Sequence, residues 1–118
     1  MDIRLKRAYD APADNDGYRV LIDRIWPRGV SKEELELDDW LKGIAPSDKL
    51  RKWFGHEKEK WEEFRRRYAK ELDEKELSPL LERLRAGRRI TLVFGSSDEE
   101  HNNAVVLKDY LKERLQQS

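Results

Sequence analysis

The run Ile90-Thr91-Leu92-Val93-Phe94 constrains the fold of this chain more than any other stretch. It is short, apolar and β-favouring, and no polar residue alternates with the apolar ones after Thr91, so it predicts a strand buried on both faces. Gly95, Ser96 and Ser97 break it, and Ser97 followed three residues later by Glu100 has the pattern of a capping box that opens a helix. A strand, a small-residue turn and a helix start bring free amides to the carboxyl end of a strand, where open α/β sheets hold their ligands.

A second apolar strand core, Val20-Leu21-Ile22, lies within residues 18–26, and Trp26-Pro27-Arg28-Gly29 stops it because proline lacks a donor and restricts the tryptophan before it. About sixty residues of mostly helical periodicity separate this strand from residue 90, which favours parallel pairing of the two through a helical crossover. Ile3 and Leu5 alternate with Arg4 and Lys6, so residues 2–9 predict a further strand exposed on one side. The turn-rich residues 10–17 are too few for a helical crossover, so the first two strands are either antiparallel partners or not neighbours. The expected fold is α/β, a two-layer or three-layer arrangement with a short, mainly parallel sheet of about three strands covered by helices. Residues 1–118 are expected to form one domain, since a second would have too little apolar surface to bury.

Helix signals fill the long crossover. Ser31 and Glu34 form a capping-box pattern, and Leu37, Trp40, Leu41 and Ile44 recur at helical spacing, predicting a helix over about residues 31–43. Pro46-Ser47 opens a short helix that Gly55 ends in a left-handed cap, leaving His56 just beyond. From Glu57 onward, Trp61, Phe64, Tyr68 and Leu72 mark one face of an amphipathic helix. Ser78-Pro79 caps the next, with Leu80, Leu81 and Leu84 buried and Gly87 as terminator. Ala104, Leu107, Leu111 and Leu115 form the stripe of a last helix.

Composition narrows the function classes. Charged residues make up 42% of the chain, but Lys plus Arg and Asp plus Glu each number 25, so no net field draws the whole molecule to nucleic acid or anionic lipid. With no cysteine, disulfides, thiolate metal sites and sulfur nucleophiles are excluded together. The amino terminus has no apolar signal core, and no segment approaches the ~20 apolar residues of a membrane helix, so a cytoplasmic protein without membrane partners is expected.

If the strands at 18–26 and 90–94 are parallel neighbours, residues 23–29 and 95–103 emerge at the same sheet edge. The first loop brings Asp23, Arg24, Trp26, Arg28 and Gly29, and the second brings Ser96, Ser97, Asp98, His101 and Asn102. Arginines facing a helix start suit a phosphate or carboxylate, because the guanidinium fork bonds two oxygens and amides complete the cradle. The alternative is that Arg24 and Arg28 pair with Asp98, Glu99 or Glu100. His101, three residues after Asp98, can act with it as a general base, which makes these two the catalytic candidates. His56 joins the ligand-binding candidates. The spacing of the two histidines matches no zinc signature, so no metal is expected, and nothing in the pattern names a cofactor. Trp26 is either a wall for a planar ligand or a plug over the sheet edge, whereas Trp53 and Phe54 read as core. The basic runs at 65–67 and 83–89 could touch nucleic-acid backbone, but their flanking acids favour a solvated face.

Five segments together carry a family resemblance: residues 3–10, 16–29, 44–47, 50–56 (Leu-Arg-Lys-Trp-Phe-Gly-His) and 98–104 (Asp-Glu-Glu-His-Asn-Asn-Ala). In these the chain is similar to the bacterial and archaeal YeaO-like proteins of domain-of-unknown-function family 488. The resemblance implies a small α/β domain and no established activity. It departs at Gly95-Ser96-Ser97, where such proteins carry alanines and a basic residue. Longer members place cysteines near this loop, and the absence of cysteine here removes sulfur transfer. The expectation is an anionic, nucleotide-like small ligand at the sheet edge, with hydrolase or transferase chemistry through Asp98 and His101. The alternative is a non-catalytic module that binds nucleic acid or protein through its basic helices.

Overall fold

The computed structural model describes residues 2–117. Four strands, β1 (Ile3–Arg7), β2 (Tyr18–Leu21), β3 (Asp39–Trp40) and β4 (Ile90–Phe94), form one sheet in the order β1-β4-β2-β3, and every pair is parallel. β4 lies between β1 and β2, with Ile90 opposite both Ile3 and Tyr18. The first two strands are therefore not neighbours, and β2 and β4 pair as their long connection requires.

Side-chain alternation divides the core. Val20, Ile90, Leu92 and Phe94 join Ile22 on one face, packed against helices α2 (Asp48–Phe54), α3 (Trp61–Leu72), α4 (Ser78–Arg85) and α5 (Asn103–Gln116). Leu21 and Val93 point to the other face, where Leu35, Trp26, Val30, Leu37 and Trp40 cover them. All five residues of β4 are buried, as its unbroken apolar run predicts.

The segment after residue 31 departs from its helical periodicity. Ser31 and Glu34 do form a reciprocal capping box, but α1 (Lys32–Leu35) lasts a single turn and ends at Glu36 in a left-handed conformation, φ 46°. The next element is a strand: the Asp38 carboxylate accepts the Arg19 amide at 2.8 Å, the Asp38 amide donates to the Arg19 carbonyl, and β3 pairs with β2. Arg19 is the cause within the tertiary structure, because its guanidinium donates to the Leu35 and Glu36 carbonyls and so holds the end of α1 open.

Other boundaries shift by less. β2 ends at Leu21, although the Ile22 amide still donates to Val93, and residues 23–26 turn away before Trp26 is reached. α2 begins after Ser47, whose hydroxyl accepts the Leu50 amide, and ends at Gly55 with φ 51°, as expected. A 3-10 turn at Lys58–Lys60 precedes α3. Leu77, not Ser78, is the cap of α4. The capping box expected at Ser97 and Glu100 is not formed. Asn102 caps α5 instead, accepting the Val105 amide at 3.1 Å, because Ser96 and Asp98 take the intervening amides into a polar turn.

Candidate functional site

The ends of β2 and β4 open into a cleft of about 390 Å³, closed on its far side by α2 and the start of α5. Asp23 is its structural hinge. The Asp23 carboxylate accepts the Gly95 amide at 2.8 Å and the Asn103 side-chain amide at 3.0 Å, and the Asp23 carbonyl accepts the Trp40 indole at 2.7 Å. Burial pushes the Asp23 carboxyl above its ordinary value, a push opposed by the Asn103 and Gly95 bonds and by the His56 imidazole.

Cations edge the opening. Arg24 lies 3.6 Å from the Asp48 carboxylate, and Arg51 reaches the same carboxylate at 3.4 Å, so two guanidinium groups share one partner. Lys52 and His56 stand beside them, and Ala45, Pro46, Phe54 and Phe64 supply an apolar wall. Gly55 and His56 both have positive φ, 51° and 60°, which turns the chain at the end of α2 and brings the imidazole to the cleft.

His101 faces the cleft from the opposite loop. Asp98 Oδ1 accepts the amides of Glu100 and His101, and its Oδ2 lies 3.1 Å from His101 Nδ1. The Glu100 amide, joined by the amide and imidazole of His101, outweighs the opposing effect of burial and holds the Asp98 carboxyl below its ordinary value. Neither residue is helical, so the contact comes from a tight polar turn rather than from one face of a helix. The His101 ring meets Trp61 edge-on at 5.2 Å.

Of the residues expected at the site, Asp23, Arg24, His56, Ser96, His101 and Asn102 line this one cleft. Asp98 stands behind His101. Trp26, Arg28, Gly29 and Ser97 do not line it. Trp26 packs edge-to-face with Trp40 at 5.2 Å on the other side of the sheet and donates to the Val30 carbonyl, so it is the plug and not a ligand wall. Arg28 and Gly29 are exposed in the turn beyond it. Ser96 is tied inward, its hydroxyl accepting the Asp98 amide. Neither Arg24 nor Arg28 reaches the acids at 98–100; Arg24 pairs with Asp48 instead.

Asn103, the last residue of the second loop, also lines the cleft, and Arg51 and Lys52 are the contributors that the two-loop pattern missed. The signal lay in α2: Leu50 and Phe54 face the core, so docking α2 at the strand ends carries Arg51 and Lys52 to the rim. The basic run of α3 is paired throughout, Arg65 with Glu62 and Asp109, Arg66 and Arg67 with Glu63, and Arg67 also lies over the Trp53 ring at 4.3 Å. Among the described residues no group of three or more His, Asp or Glu is placed to hold a metal ion, and no helix is long and apolar enough to cross a membrane.

These features define a class of small α/β proteins with a short parallel sheet and a mixed-charge cleft at its carboxyl edge. The chain belongs to family 488: the family model described as the inactive DUF488-N3 subclade matches residues 2–118. The chain is 41% identical over 113 residues to the uncharacterized protein YeaO of Escherichia coli (strain K12), covering 95% of this chain and 98% of that protein. It is 36% identical over 112 residues to the uncharacterized protein Rv3073c of Mycobacterium tuberculosis (strain ATCC 25618 / H37Rv), covering 95% of each. No solved structure matches.

Proposed function

We propose that the protein binds a small anionic ligand in the cleft between β2, β4 and α2, and does so without chemical turnover. The observation that carries this reading is the placement of Arg24, Arg51 and Lys52 on the rim of a cavity with an apolar wall. Arg24 and Arg51 together have one carboxylate between them, so the rim keeps cationic character available to a carboxylate or phosphate. The volume falls within the roughly 300–1,000 Å³ of small-molecule pockets. Two points favour binding over hydrolysis or transfer. Ser96, the hydroxyl lining the cleft, is bonded into the Asp98 turn, and the matching subclade is described as inactive. Pairing of Arg65, Arg66 and Arg67 with acids weighs against docking of nucleic acid on α3.

A thermal-shift and phosphorus NMR screen of nucleotides and phosphoesters tests the reading. At least one compound should raise the melting temperature of the wild type, and Arg51→Ala should remove the effect while Arg28→Ala preserves it. A screen with no stabilising compound, or stabilisation indifferent to Arg51, would reject it.

A further inference from the structure

Asp23 is a feature that an anion site has no use for. Its carboxylate lines the same cleft whose rim is cationic, and it is held only by neutral donors, the Gly95 amide and the Asn103 side chain. A carboxylate offers about four lone-pair positions, so about half remain for a partner. The cations around it are engaged elsewhere or stand off: Arg24 and Arg51 meet Asp48, His101 meets Asp98, and the His56 imidazole favours the charged carboxylate only from beyond ion-pair distance. Among the described residues no cation is within ion-pair distance of Asp23.

A partly buried carboxylate without a cation bears a desolvation cost that an incoming ammonium group offsets. A bare anion in the cleft would meet that carboxylate as a like charge, whereas a ligand with both signs meets an opposite charge at each end. Building on the anion reading of this cleft, we propose that its ligand is a small zwitterion, an amino carboxylate or amino phosphate. Its ammonium group lies against Asp23 and its acid against Arg24, Arg51 and Lys52. Phe54, Phe64 and Pro46 provide the apolar surface for the carbon chain between the two ends.

The test compares matched probes by calorimetry on the full chain: phosphoethanolamine against ethyl phosphate, and β-alanine against propionate. The amine-bearing member of at least one pair should bind about tenfold tighter or better, and the gap should close in Asp23→Asn. Which pair responds distinguishes phosphate from carboxylate. Equal binding within both pairs, or a gap that persists in Asp23→Asn, overturns the zwitterion while leaving the anion site standing. Failure of all four probes, together with the whole phosphoester screen, removes both.

Discussion

Asp23 accepts the amide of Gly95 at 2.8 Å, which ties the chain just beyond β2 to the residue after β4 across the floor of the cleft. The same carboxylate receives Asn103 at 3.0 Å, so the first residue of α5 is held to the same point. Asp23→Ala leaves both donors without this partner, and such a loss costs about 1–3 kcal/mol. Urea denaturation of Asp23→Ala should show a lowered midpoint with an unchanged slope, and an unchanged midpoint would show that the tie carries no stability.

Gly17 precedes β2 with φ 70° and ψ −136°, and a Cβ there would lie 2.5 Å from the Arg89 carbonyl oxygen. That carbonyl accepts the Tyr18 amide at 3.1 Å, so it cannot retreat without breaking the start of the β2 and β4 ladder. Gly17→Ala combines a backbone region costing of order 1–3 kcal/mol with a backbone clash, and a loss of more than about 2 kcal/mol is expected. Thermal unfolding checks it. Gly87→Ala is the comparison, since φ is also positive there but the space is open, and it should lose less.

The legibility of the fold in the chain varies with how local the cause of each element is. β4 is legible because five consecutive residues prefer a buried strand, and the end of α2 because Gly55 needs only its own left-handed conformation. β3 is not. Its two residues lie in a segment whose apolar positions repeat at helical spacing, and the strand is imposed by Arg19 and Asp38, partners 19 apart in sequence. The start of α5 is misleading because Ser97 and Glu100 fit a capping box in isolation, whereas Ser96 and Asp98 capture the amides of the turn and leave Asn102 to cap. The cleft is half legible for a similar reason. The two loops point to each other through Asp23 and Gly95, but the cations at its rim come largely from a helix docked over them.

The buried pair of Arg19 and Asp16 gives a prediction with a defined pH dependence. Arg19 Nη1 donates to Asp16 Oδ2 at 2.6 Å, with the two side chains 5% and 3% exposed, and Lys6 completes the carboxylate's shell at 3.1 Å. Burial alone would raise the Asp16 carboxyl, but the Ala13 amide, Lys6 and Arg19 together outweigh it and hold the group below its ordinary 3.8. A carboxyl depressed in the fold contributes stability that is present above its unfolded pKa and lost as pH falls through the lower folded value. Wild-type stability should therefore drop below pH 3.8 more steeply than that of Asp16→Asn. Arg19→Met strips the pair of one member and also frees the Leu35 and Glu36 carbonyls, so about 3–5 kcal/mol is expected at neutral pH. Urea titrations of both variants across acid pH measure the two effects.

The cleft itself predicts that two arginines of similar sequence appearance behave differently. Arg51 lies on the rim beside Arg24 and shares Asp48 with it, whereas Arg28 is exposed in the turn that Trp26 anchors to the opposite face of the sheet. Removing a charge-assisted contact to a bound acid costs about 1.5–3 kcal/mol, which corresponds to roughly tenfold to hundredfold in affinity. Arg51→Ala should weaken a binding phosphoester by that amount, and Arg28→Ala should leave its affinity within about twofold. Asp48→Asn should act in the opposite direction to Arg51→Ala, because it releases both guanidinium groups from their shared carboxylate. Its gain should shrink as salt rises from low to physiological ionic strength, since Asp48 is 59% exposed and its interactions are screened. Isothermal calorimetry at two salt concentrations separates these outcomes, and equal losses for Arg51→Ala and Arg28→Ala would move the anion site away from this rim.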